Sequence, residues 1–302
     1  MRNLNQPSLD GTDQSILSSG EISDTHPKDD QWRGDGLAGS PHTRLVDQIR
    51  VPLDDHDPER AAEICAAICR QALLDFAPAI VLVPPDDRPR VQALTAYVLT
   101  LFDFAKQPGL EGERLSGLNR WQFELEESLD GKPRGQPVFV ALALANQESP
   151  WEREGFDRLH RLATHIAVVE TTSQEHLCEE LAAAWLKLLL GRQPSDSIVT
   201  QAGALVRTHR LVGSVGNDSR QAPPKPDKHE DERSRLIAAL SKRFEPNGLP
   251  KEYRPAAAYL RLAALRLLGK SNLLQGMRPR KRPQLGLVER LTILGRARWL
   301  GR

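Results

Sequence analysis

The 302-residue chain has few cysteines and no long apolar run, and each shortage removes a class of protein. Its three cysteines, Cys65, Cys69 and Cys178, are too few for a disulfide framework and form no metal set with nearby histidines. They read as small buried hydrophobes, Cys65 and Cys69 one helical turn apart in "AAEICAAICRQALL", and fit a reducing cytosol. No window approaches eighteen uninterrupted apolar residues, and no charged start precedes an apolar h-region, so neither secretion nor a membrane span is expected. Surplus charge is missing as well: 41 Lys and Arg meet 40 Asp and Glu, which argues against a dedicated nucleic-acid binder. The patterns G-x-x-x-x-G-K-[ST], H-E-x-x-H and G-x-S-x-G are absent, leaving phosphate-loop, zincin and hydrolase-elbow chemistry without support.

What is present is unevenly spread. Residues 1–60 carry twelve acids and six bases, whereas from Lys270 to Arg302 nine bases face only Glu289. That asymmetry implies a basic C-terminal surface suited to phosphates, anionic lipid or an acidic partner. Residues 1–57 are rich in Ser, Gly, Asp, Asn and Pro without periodicity and read as a disordered acidic tail.

From residue 58 to 302 helical signals dominate, and the body is expected to be all-α. Asp57 can cap and Pro58 suits a first helical position, with Ile64, Ile68, Leu73 and Leu74 on an apolar face. Pro84 and Pro85 then break the chain, and Val91, Leu94, Tyr97, Val98 and Leu101 predict a second helix from about Arg88 to Lys106. Five further helical stretches follow, with Gly131 and Gly191 at helix ends. "THIAVVE" has some strand character and is assigned to helix. A loop is expected over 213–232, then helices near 231–244 and 255–268, and a closing basic helix over 285–300.

Several stretches, in order, resemble the squalene/phytoene synthase family: "DFAPAIVLVPPDDRPRVQALTAYV", "LNRWQFELEESLDGKPRGQPVFVAL", "EELAAAWLKLLLG" and "LPKEYRPAAAYLRL". The resemblance covers roughly residues 60–302 and implies a single isoprenoid-synthase-like helical bundle around a central cavity. In active members two helices present aspartate-rich motifs that hold magnesium against a prenyl diphosphate. Paired acids four apart share a helix face, and magnesium favours such oxygens.

Both motifs are degenerate here. Aligning Tyr97 with the family's tyrosine puts Phe104, Ala105 and Pro108 where the first aspartates fall, with Asp103 beside them. In "QAGALVRTHRLVGSVGNDSRQ", aligning Gly203 puts Arg207, Arg210, Gly213 and Ser214 at family polar positions, and only Asp218 keeps a carboxylate. The resemblance therefore implies a member that has lost prenyl transfer, similar to the noncatalytic complex I assembly factors, acting as a binding or assembly module without a cofactor. The alternative is a working magnesium-dependent head-to-head prenyl-diphosphate transferase of isoprenoid biosynthesis, with Asp103 and Asp218 as its metal ligands.

Tyr97, Asp103, Arg207, Arg210 and Asp218 are the candidates for the cavity and its residual motifs. Arg207 and Arg210, a turn apart around His209, could hold an anion directly. The acids of "WQFELEESLDG" read as a solvated face, and His160, His165 and His176 as structural residues. Expected partners are an isoprenoid or other lipid, a protein, and a membrane surface met through residues 278–302, where Leu287, Val288, Leu291 and Trp299 alternate with arginines. The expected location is the cytoplasm, peripheral to the inner face of the membrane.

Overall fold

The computed structural model describes residues 57–106, 110–168, 174–214, 226–242, 248–273 and 283–301. Of the expected tail only Asp57 lies among them. Every described element is helical: ten α-helices and three 3-10 segments, with no strand among the described residues. Helix α1 (Pro58–Leu73) opens where the proline predicts, with the Asp57 carboxylate accepting from the backbone N–H groups of Glu59 and Arg60. These are donors that a helix start otherwise leaves without partners.

At Leu74 the backbone turns to φ 51°, a conformation that a leucine adopts only under tertiary constraint, and the chain continues as a 3-10 segment, Leu74–Leu82, with Pro78 inside it. The sequence does not announce this break, because "LLDFAPAIVL" reads as one apolar run. The helical stretch 58–82 is apolar and long enough to cross a membrane by length and composition alone. Its Ala61, Cys65, Ile68, Cys69, Phe76 and Ala79 are nonetheless buried against other helices.

A short 3-10 turn, Pro85–Asp87, leads into α2 (Arg88–Ala105). The Arg88 guanidinium donates to the carbonyls of Val81 and Val83, both at 2.8 Å, fastening the 3-10 segment to the start of α2. Then come α3 (Glu111–Leu129), α4 (Pro137–Glu148), α5 (Arg153–Val168), α6 (Gln174–Leu190) and α7 (Asp196–Ser214). Gly131 and Gly191 take positive φ, 79° and 61°, just past the ends of α3 and α6. Helix α5 runs through "THIAV" to Val168, so the ambiguous stretch is helical as far as it is described.

Helix α8 spans Pro226–Ser241, five residues earlier than the pattern predicts, because its first turn is charged and carries no apolar periodicity. The 3-10 turn Lys251–Tyr253 precedes α9 (Arg254–Leu273), and α10 (Leu287–Leu300) closes the described chain.

Two large apolar clusters organise the bundle, with a small third of Leu186, Ile198 and Leu249 beside them. The first joins α1 to α6 around Tyr97, wholly buried with its ring 5.4 Å from Phe156 and 6.4 Å from Trp121, and around Phe139, 4.6 Å from Trp121. Each such aromatic contributes on the order of 2–3 kcal/mol by leaving water. The second joins the 3-10 segment to α7–α10 through Phe76, Leu236, Leu240, Tyr259, Leu267 and Leu268. Leu73, Trp185 and Leu189 pack against both.

Helix α10 is held at its start by charge. Glu289 accepts from the Gly286 N–H at 2.9 Å and from Arg266 at 3.0 Å, and pairs with Lys270. Those bonds, Lys270's first, lower its carboxyl from 4.5 to about 2. A depressed carboxylate stabilises the fold above its unfolded value and stops doing so as pH falls towards the folded one. Wild type and Glu289→Gln should therefore differ in melting temperature above pH 4.5 and converge as pH approaches about 2; a pH-independent difference would rule the linkage out.

Candidate functional site

Between the two clusters lies a cavity of about 280 Å³. Periodicity explains its wall. On α2, Val91, Thr95, Val98 and Leu99 recur at three- and four-residue spacing and face the cavity, while Leu94, Tyr97 and Leu101 face the first cluster. Helix α6 contributes Leu181, Ala182, Trp185 and Leu189, and α7 contributes Ala202, Leu205, Val206 and His209. The 3-10 segment supplies Phe76, Ala79 and Ile80, and α9 supplies Ala256, Ala257 and Leu260.

The wall is almost wholly hydrocarbon, and two of its polar members, His209 and Tyr253, are engaged with groups off it. His209 Nε2 donates to the Ala72 carbonyl at 2.9 Å, with its ring 5.8 Å from Phe76. The Tyr253 hydroxyl donates to Asp87 at 2.9 Å, and burial followed by that carboxylate pushes its pKa upward, so the phenol stays neutral. No carboxylate lies on the wall among the described residues. A surface of this kind strips water from alkyl or alkenyl groups.

The residues singled out in the sequence fall around this cavity rather than on its wall. Tyr97 belongs to the first core cluster. Asp103, half-buried, follows Leu99 by one turn of α2, and Arg210 follows Val206 by one turn of α7. Cys178, buried, precedes Ala182 by one turn of α6. These three positions meet at one end of the cavity, where Arg210 Nη1 lies 3.9 Å from Cys178 Sγ.

Lys106, at the end of α2, joins them. Its side chain is exposed at the helix end, and the atoms packed around its base, then the Arg210 charge, lower its pKa, against an upward pull from Cys178 and Asp103. Arg207 is committed nearby to Glu232 of α8, which accepts from Nε at 3.0 Å and Nη2 at 2.6 Å. Asp218 lies outside the described residues. Sequence reasoning placed the two arginines on the right helix and missed Lys106, because no aspartate motif predicts a lysine at a helix end.

A magnesium–diphosphate cluster requires several convergent carboxylates. Among the described residues no group of three or more Asp, Glu, His or Cys is placed to hold a metal. At the end of the cavity Asp103 stands among Lys106, Arg207 and Arg210, so the described donors do not fit a magnesium site. The acids of α3 differ from their sequence reading: Glu126 is exposed, but Glu124 is buried, and desolvation raises its carboxyl pKa in spite of Arg120.

No family model and no curated protein sequence matches the chain. Among solved structures, a dehydrosqualene synthase crystallised in complex with ligand is similar in fold, with a TM-score of 0.64 and 16% identity over 80% of this chain and 98% of that one. The likeness shows the all-α isoprenoid-synthase fold.

Proposed function

We propose that this isoprenoid-synthase-fold protein is noncatalytic and holds a single apolar chain in its bundle cavity, serving as a binding or assembly module rather than a prenyltransferase. The observation that carries the reading is the wall: hydrocarbon along its described length, without a carboxylate, and ended by cations instead of a metal-binding set. A volume of about 280 Å³ is at the lower edge of the ~300–1,000 Å³ range of ligand pockets and suits one chain better than two. The degenerate motifs of α2 and α7, and their likeness to noncatalytic complex I assembly factors, support the same reading.

Helix α10 supports a peripheral location on the inner face of a membrane. It buries Ile293 and Ala297 and leaves Leu287, Val288, Leu291 and Trp299 exposed beside Arg296 and Arg298.

The deciding experiment is release of pyrophosphate from farnesyl and geranylgeranyl diphosphates by purified, folded protein, with magnesium and with chelator. No release above the no-protein control is expected under either condition. Magnesium-dependent turnover abolished in Asp103→Asn or Asp218→Asn would overturn the reading in favour of an active transferase.

A further inference from the structure

We propose that the end of the cavity beyond Leu99, Leu181 and Val206 receives, without metal, the anionic head of a single-chain amphiphile, with Lys106 and Arg210 as its ligands and the hydrocarbon wall as the seat of its tail. The proposal rests on the cavity reading above and adds the chemical class of the occupant.

Three helices bring the parts together. Helices α2 and α7 run outward and α6 runs inward, so one turn past the wall α2 presents Asp103, α6 presents Cys178 and α7 presents Arg210, with Lys106 a further turn out at the C-cap of α2. The charges of Lys106, Arg207 and Arg210 all act on Cys178, which makes it the centre of the group. Arg207 is spent on Glu232. Among the described residues, neither Lys106 nor Arg210 has a carboxylate within 4 Å, and the Arg210 charge lowers the preference of Lys106 for its charged form.

Burial raises the Cys178 thiol above its ordinary pKa despite these cations, so it stays neutral and supplies no counter-charge. Asp103 is the nearby acid and offsets one of the cations. Among the described residues the balance is a positive end on an apolar cavity, and an anion entering it relieves repulsion and gains bonds to a planar guanidinium fork and an ammonium. Carboxylate and phosphate heads share this chemistry. An apolar chain without a charged head would leave the cations as they are.

The test uses full-length protein and four probes, oleate, farnesyl monophosphate, farnesyl diphosphate and farnesol, followed by tryptophan fluorescence, since Trp185 is in the wall. In chelator, oleate or the farnesyl phosphates should bind at least tenfold more tightly than farnesol, and magnesium should not strengthen them. Lys106→Ala and Arg210→Ala should each weaken the anionic probes severalfold, and the pair tenfold or more, with farnesol unchanged. A preference for oleate identifies a carboxylate head, and a preference for either phosphate identifies a phosphoryl head. Farnesol binding as tightly as the anions, insensitivity to both substitutions, or a requirement for magnesium would each overturn the head-group assignment while leaving the cavity reading intact. Failure of all four probes to bind would overturn both. Arg210→Lys guards against misfolding: it keeps the charge and should retain most of the affinity.

Discussion

Replacing Asp75 with alanine should destabilise the protein by about 2–4 kcal/mol and lower its melting temperature by roughly 5–15 °C. The carboxylate is 1% exposed, on the 3-10 segment after α1. Its Oδ1 accepts from the Leu285 N–H at 3.1 Å and from Arg290 Nη2 at 2.6 Å, while its backbone carbonyl accepts the Tyr259 hydroxyl at 3.0 Å. One residue thus fastens the beginning of the described chain to α9 and α10.

Truncation would leave the Leu285 N–H buried without its acceptor and the Arg290 guanidinium without its anion. Breaking a fully buried pair costs about 3–5 kcal/mol, and Arg290, 36% exposed, recovers part of that through water. Thermal denaturation of Asp75→Ala, Arg290→Ala and the double variant should show coupling of at least 1 kcal/mol, since the two losses share one interaction. Additive losses, or an Asp75→Ala protein that melts with wild type, would show that the latch contributes nothing to stability.

Filling the cavity should weaken chain binding about a hundredfold without harming the fold. Ala202 is half-buried on the α7 face of the cavity wall, and Ala202→Trp would direct an indole into the space a tail needs. Each methylene denied burial costs about 0.8 kcal/mol, so excluding four weakens binding by ~3 kcal/mol, on the order of a hundredfold. Because the indole occupies space instead of displacing packed atoms, stability should change by less than about 1 kcal/mol. The check is titration with oleate and farnesol beside a melting curve. A variant that folds as wild type and still binds both would place the chain somewhere other than this cavity.

Much of the fold was legible in the sequence. Asp57 followed by Pro58, the Pro84–Pro85 break, and the spacing of Val91, Leu94, Tyr97, Val98 and Leu101 are local signals, and local signals set helix starts and faces. The break at Leu74 was not legible, since the φ of 51° there is imposed by contacts formed only on folding. Nor was Asp75, whose partners lie 210 and 215 residues away. The first turn of α8 was read as loop because residues 226–230 are Pro, Asp, Lys, His and Glu, with no apolar residue to set a helical period.

The candidate site divides in the same way. Family spacing led to Asp103, Arg207 and Arg210, and the structure puts them near one end of the cavity. It could not distinguish the Arg207 that pairs with Glu232 from the Arg210 that does not, because that choice depends on where α8 lies. The wall itself was hidden: Leu99 and Leu101 look alike in sequence, and only the rotation of α2 assigns one to the cavity and the other to the core.

Leu73, Trp185 and Leu189 belong to both apolar clusters and also line the space between them. In terms of hydrogen exchange, those three side chains couple the opening of the α1–α5 unit to that of the α7–α10 unit, beside the Asp75–Arg290 pair and the His209–Ala72 bond. A chain lodged against those same residues touches both units at once. It would merge their openings into one event and raise the protection of the less stable half most, so that cargo and cooperativity become a single property of the bundle.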